Sequence, residues 1–124
     1  MKKYITGDLL HYKICNAKYL IEVTNTSKHG YCFKGVKDNF NGVICDEFIE
    51  DIPLTPEILK KNGWKKDKDG YFNDSYHIRL CKSNTNYAAY KVVNNSIVWL
   101  RAVENVPDLQ HLLFGLDISL KIEV

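Results

Sequence analysis

The stretch Ile52-Pro-Leu-Thr-Pro-Glu-Ile-Leu-Lys-Lys-Asn-Gly-Trp64 carries both ends of a helix in one short run. Thr55 can cap the first free amides, and Pro56 occupies the first-turn position where a missing N–H costs nothing. Glu57 stands near the positive end of the helix dipole, and Lys60 and Lys61 stand near the negative end. Asn62-Gly63 can take the left-handed conformation that ends a helix. Two turns are too few to be stable alone, so Ile58, Leu59 and Trp64 are expected to dock the helix. The stretch therefore divides the chain into a part before it and a part after it.

Before it, short apolar or alternating runs predict β structure: "LLHY" after a turn at Gly7-Asp8, then "KYLIEV", "GYCFKGV" and "GVICDEFIEDI". In "GYCFKGV", Tyr31, Phe33 and Gly35 fall on one face and Cys32, Lys34 and Val36 on the other. Asn41-Gly42 reads as a hairpin turn, because both residues tolerate positive φ. This spacing predicts an SH3-like small β-barrel or a curled sheet over residues 1–54.

Beyond Trp64 the strand signals resume as "GWKKD", "YFND", "YHIRLCK", "YAAYKVV" and "SIVWLRAV", with turns at Asp69-Gly70 and Asn94-Asn95. Tyr76, Ile78 and Leu80 alternate with His77, Arg79 and Cys81, the pattern of one buried and one wet face. Pro107 opens a second helix, "PDLQHLLFGL", with Leu109, Leu112 and Leu113 on one side and Gly115 as its terminator. "DISLKIEV" alternates as Ile118, Leu120 and Ile122 and predicts a last strand, whose edge could pair with another subunit. Residues 55–124 are thus expected to be an α+β segment of two short helices packed on an antiparallel sheet, forming one compact unit with the first segment.

A chain of 124 residues fits one domain or two very small ones. A hydrophobic fraction of 45% is enough for a packed core. Its 17 basic and 15 acidic side chains are nearly balanced, so charge alone points to no polyanion. The apolar part of "MKKYITGDLL" is too short for a signal peptide and no run approaches membrane-span length, so a cytoplasmic protein is expected. Cys15, Cys32, Cys45 and Cys81 then read as reduced thiols packed as small hydrophobes.

The order "DIPLTPEILKKNGW", "DKDGYF" and "VPDLQHLLFGLDISLKI" resembles a group of small uncharacterised proteins of gut Bacteroidetes and of their phages and conjugative elements. The likeness covers roughly Asp51 to Val124. It implies an accessory protein of a phage or mobile element, and it brings no catalytic signature to any residue here.

Several constellations invite a chemical reading. Asp67, Asp69, Gly70 and Asn73 stand at calcium-loop spacing, but Lys65 and Tyr76 occupy the two end positions where acids are needed. His11, Cys15, His29, Cys32 and Cys45 offer nitrogen and sulfur for zinc, yet no CxxC knuckle is present. His77 and Cys81 are too far apart along a strand to form a hydrogen-bonded nucleophile pair. Asp46, Glu47, Glu50 and Asp51 alternate faces as strand residues. No nucleophile elbow, phosphate loop or zinc-protease pair occurs. The expectation is a chain without catalysis, metal or cofactor.

Two surfaces remain. Lys60, Lys61, Lys65, Lys66 and Lys68 surround Trp64, with Tyr71 nearby, a mixture that can hold a phosphate backbone and stack bases. Tyr87, Tyr90 and Trp99 on adjacent strands can line a face for a protein partner or a second copy of the chain. The leading expectation is a noncatalytic accessory or interaction protein, and the alternative is a nucleic-acid-binding accessory protein using the lysine and tryptophan patch.

Overall fold

The computed structural model describes residues 4–28 and 30–124. The fold is mixed α+β: two antiparallel five-stranded sheets and two short helices. It divides into two compact units, one ending at Ile52 and one running from Pro53 to Val124.

The first unit is a four-strand meander with a fifth strand added beside the first. Strands β1 (Leu9–Ile14), β2 (Ala17–Ser27), β3 (Gly30–Gly35), β4 (Asn41–Ile44) and β5 (Ile49–Asp51) lie in the order β4-β3-β2-β1-β5. Period-two alternation sends Leu10, Ile21, Val23, Tyr31, Phe33 and Ile44 into one core with Tyr4. Closing this sheet into a barrel requires β4 to pair with β5, and among the described residues it does not. Of the two expected forms, SH3-like barrel or curled sheet, the closed barrel does not form, and the structure shows an open antiparallel sheet with β4 and β5 at its edges. The apolar-acidic run "GVICDEFIEDI" is not one strand either. A 3-10 turn at Asp46–Phe48 breaks it and lets the chain cross from one edge of the sheet to the other.

Asn41-Gly42 also departs from expectation. Asn41 and Gly42 pair with Lys34 and Phe33 inside β4, and residues 36–40 make the reversal. Phe40 explains the shift. Its ring packs edge-on against Tyr19 and Phe33, and its carbonyl accepts the Gly35 amide at 2.7 Å. Burying an aromatic ring at position 40 outweighs the local turn preference of the two residues after it.

In the second unit, helix α1 (Pro56–Lys61) forms as its punctuation predicts. The Thr55 hydroxyl accepts from the Ile58 amide at 3.3 Å. At the other end Gly63 adopts φ +86°, the Trp64 amide donates to Leu59 at 3.0 Å, and the Gly63 amide donates to Lys60 at 3.2 Å. These two bonds are the Schellman pair, which sets Trp64 against Leu59, and both side chains are buried.

Strands β6 (Lys65–Lys66), β7 (Gly70–Asn73), β8 (Ile78–Ser83), β9 (Asn86–Val93) and β10 (Ser96–Val103) follow as a sequential meander. Asn94 and Asn95 both take positive φ in the β9–β10 turn, as a two-residue primed turn requires. The inner face buries Tyr71, Ile78, Leu80, Tyr87, Ala89 and Val103. Helix α2 (Val106–Gly115) packs along β10, buries Leu109, Leu112 and Leu113, and is tied to the strand by Arg101 and Asp108 at 3.2 Å.

Gly115 does not end α2. It is the last helical residue, and Asp117 takes the left-handed position at φ 60° while the Ile118 amide donates to Leu113 at 2.9 Å. The final strand does not form, since residues 118–124 join no sheet. Asn62 holds this tail in place of a neighbouring strand: its Oδ1 accepts the Glu123 amide and its Nδ2 donates to the Glu123 carbonyl, each at 2.7 Å. One side-chain amide supplies a donor and an acceptor, so it satisfies the backbone that a ladder would otherwise pair.

Two glycines test the backbone account. A Cβ on Gly63 would meet open space, so Gly63→Ala is expected to cost only the left-handed strain, about 1 kcal/mol. A Cβ on Gly70 would lie 2.0 Å from the Leu80 carbonyl oxygen. Gly70→Ala should therefore cost roughly 3 kcal/mol. Urea unfolding midpoints of the two variants will give this ranking.

Candidate interaction surface

The outer face of the second sheet is organised by register. Lys65 pairs with Phe72, Phe72 with Arg79, Arg79 with Tyr90, and Tyr90 with Trp99. Paired residues share a face, so these five side chains form one row across all five strands. The Arg79 guanidinium lies over the Phe72 ring at 5.7 Å. At the far end the row opens to solvent, with Trp99 60% and Ile97 66% exposed.

Arg79 is held in that row by Asp67, at 2.6 Å between Nη1 and Oδ2. The other carboxylate oxygen accepts the amides of Asp69 and Gly70 at 2.9 and 3.0 Å, which closes the Asp69-Gly70 turn. Loss of solvent pushes the Asp67 carboxyl up, and the Arg79 hydrogen bond with the two amides more than offsets it. The net result lies below the ordinary value of 3.8. Both Asp67 oxygens are thus engaged, one in closing the turn and one in holding Arg79.

The residues singled out from the sequence separate into different places. Lys60, Lys65, Lys66 and Lys68 are exposed, and the Lys61 ammonium donates to the Val124 carbonyl at 3.1 Å. Trp64 is only 2% exposed, so it cannot stack a base among those lysines. The cap on α1 causes this, because the amide that closes the helix belongs to Trp64 and brings its ring inward. The indole Nε1 has no hydrogen-bond partner among the described residues.

Tyr87 is likewise buried at 3% exposure, edge-on to Tyr71 on the inner face, where burial pushes its hydroxyl pKa up. Tyr90, three residues on, falls on the opposite face, so Tyr90 and Trp99 share a surface that excludes Tyr87. Phe72, Arg79 and Ile97 were missed as members of it. Strand register could have found them, because once Asn94-Asn95 is fixed as the turn, Tyr90 must face Trp99 and Val92 must face Ile97.

The cysteines are free. Cys15 and Cys45 are exposed, against the expectation of buried thiols, and Cys32 and Cys81 are half-buried. Cys15 sits in the β1–β2 turn at φ 54°, and Cys45 leads into the 3-10 turn, so neither follows strand alternation. His29 lies outside the described residues. Among those described, no three His, Cys, Asp or Glu side chains come together as metal ligands. His77 lies in the turn before β8 and not on the strand with Cys81. Glu50 on β5 instead meets Lys13 and Lys18, at 3.6 and 3.7 Å. No helix among the described residues is long and apolar enough to cross a membrane.

No protein-family model matches the chain, and neither a curated protein nor a solved structure matches it.

The Asp67 arrangement has a pH signature. A carboxyl whose folded pKa lies below its unfolded value contributes stability above the unfolded value and loses it as pH falls through the folded one. Asp67→Asn is therefore expected to be less stable than the parent at neutral pH, with the gap closing as pH drops below 3.8. Urea unfolding of both proteins between neutral pH and the acid limit of folding will show the gap narrowing.

Proposed function

We propose that this chain is a noncatalytic interaction protein, an accessory of a phage or mobile element, and that it contacts a protein through the outer face and β10 end of its second sheet. The single observation that carries this reading is the pair Trp99 and Ile97, large apolar side chains left 60% and 66% exposed beside Tyr90. Exposed aromatic and aliphatic side chains grouped in this way are the composition of an interface centre, and the polar row continuing through Arg79 to Lys65 suits its rim. The phage or mobile-element origin is supported by the likeness of the Asp51–Val124 motifs alone.

Nucleic acid is the weaker reading because its two ingredients do not meet. The exposed rings lie on the outer face with one lysine, Lys65, and with Arg79 already paired to Asp67. Trp64, the ring the sequence sets among Lys60, Lys61, Lys66 and Lys68, is inside. A single-strand platform needs rings and cations along the same track.

A photo-crosslinking amino acid placed at Trp99, with Lys121 as a control position, tests the reading in cells. Protein adducts at position 99 that are absent at 121 are the expected result. Adducts to nucleic acid, together with salt-sensitive binding of labelled single strands that Lys65→Glu abolishes, would replace it with the alternative.

A further inference from the structure

We infer that the occupant of the β10 edge is a second copy of this chain, joined by antiparallel pairing of β10 with β10 across a two-fold axis at Val98. This rests on the interaction reading and names its partner.

The four sheet edges are not alike. β4, β5 and β6 are four, three and two residues long, and β5 and β6 carry Glu50 and Asp51 or Lys65 and Lys66. Short or charged edges resist pairing with another strand. β10 has eight residues, and the stretch ahead of its Trp99/Arg101 bulge, Ser-Ile-Val-Trp, carries no charge and leaves Ile97, Val98 and Trp99 exposed. Its one charge, Arg101, is committed to Asp108 and to the Ala102 carbonyl, at 3.2 and 3.0 Å.

The ladder shows which backbone groups are open. The Val92 amide donates to His77 beside β8 at 2.9 Å. In an antiparallel ladder consecutive residues turn their backbone groups to opposite neighbours, so Val92 and Tyr90 face β8 while Lys91 and Val93 face β10. Ser96 and Val98, opposite Val93 and Lys91, are therefore bonded to β9. Ile97 and Trp99, opposite Val92 and Tyr90, turn their amides and carbonyls outward. The bulge between Trp99 and Arg101 ends this flat run.

One register uses all of these groups. With Val98 on the axis, Ile97 of each copy faces Trp99 of the other as a hydrogen-bonded pair, and every outward amide and carbonyl of the two residues is satisfied. The same register sets Ile97 against Trp99 on the outer face, an aromatic and β-branched cross-strand pair, and Val98 against Val98 on the inner face. Shifting by one residue in either copy leaves outward groups unpaired. An antiparallel pair has two-fold symmetry, so a single unprotected edge is its own complement.

The area sets the strength. Val92, Val93, Ile97, Val98 and Trp99 are 39, 43, 66, 49 and 60% exposed. Ile97, Val98 and Trp99, the three on the edge strand itself, offer on the order of 300 Å² of side chain, under half of the roughly 800 Å² per partner in a stable interface. The edge backbone and Tyr90 add to this. An interface of this size is of the weak, transient kind, so the dimer is expected to be reversible and concentration-dependent.

Sedimentation equilibrium over a wide concentration range is the test, on the parent, on Val98→Lys, on Val98→Glu and on an equimolar mixture of the two variants. Val98 is half exposed, so neither substitution disturbs the core, and circular dichroism will verify that both variants fold. The parent should show a concentration-dependent doubling of mass. Each variant alone should be monomeric, because like charges meet on the axis, and the mixture should recover the dimer. A parent that stays monomeric at hundreds of micromolar overturns the inference, as does a dimer indifferent to both variants. A dimer lost in each variant and not regained in the mixture overturns this register. Should the parent be monomeric while position 99 still crosslinks to another protein, the homodimer fails and the interaction reading stands. Absence of both removes both.

Discussion

The left-handed turn at Gly63 is the constraint on which the second unit depends. By taking φ +86° it lets the Trp64 amide return to Leu59, which ends α1 after its sixth residue and aims the chain into β6. Trp64 is carried inside by the same geometry. Asn62, one residue earlier, is left with its side chain free to bond Ile58 and both backbone groups of Glu123. Thus one two-residue cap positions the helix, the first strand of the sheet and the chain's tail. An isolated Pro53–Asn105 bridge joins the segment leading into α1 to the cap of α2, so the two helix starts are also tied.

From that beginning, the meander leaves little freedom. Each strand pairs with the next, so register propagates from turn to turn, and alternation decides which side chains are wet. The inner face is sealed by Leu80, Ala89 and Val103 beneath α2. The outer face carries Phe72, Arg79 and Tyr90, half-buried, and Trp99, exposed, in one row. Unequal covering of the two faces is what turns a folding pattern into a surface with chemistry. Its end at β10 joins exposed apolar side chains to outward backbone groups, the two components that strand addition uses.

Local chemistry was legible where it acts within a few residues. Thr55, Pro56, Asn62 and Gly63 mark both ends of α1 by capping, and Asn94-Asn95 specifies its hairpin by tolerance of positive φ. Asn105 caps α2 by accepting the Asp108 amide at 2.9 Å, although Pro107 alone marked that helix start in the sequence. Long-range packing was not legible. Asn41-Gly42 carries the right turn residues and lost to the burial of Phe40. Gly115 had the right composition to stop α2, but the helix ended where Leu113 could accept from Ile118, which put Asp117 in the left-handed position. "DISLKIEV" has the alternation of a strand, yet alternation says only which faces differ, and Asn62 provides another partner for its backbone. The same limit explains the site. Trp64 and Tyr87 look like surface rings in a list of aromatics, and only the cap and the register show that they point inward while Tyr90 and Trp99 do not.

The central claim is that Ile97 and Trp99 form an open backbone edge that a second copy closes. Amide hydrogen exchange by NMR, residue by residue along β10 in dilute and concentrated protein, tests it most directly. Val98, bonded to β9, should be protected at both concentrations, and the Ile97 and Trp99 amides should exchange quickly when dilute and become protected when concentrated. Fast exchange of Ile97 and Trp99 at every concentration would contradict the account.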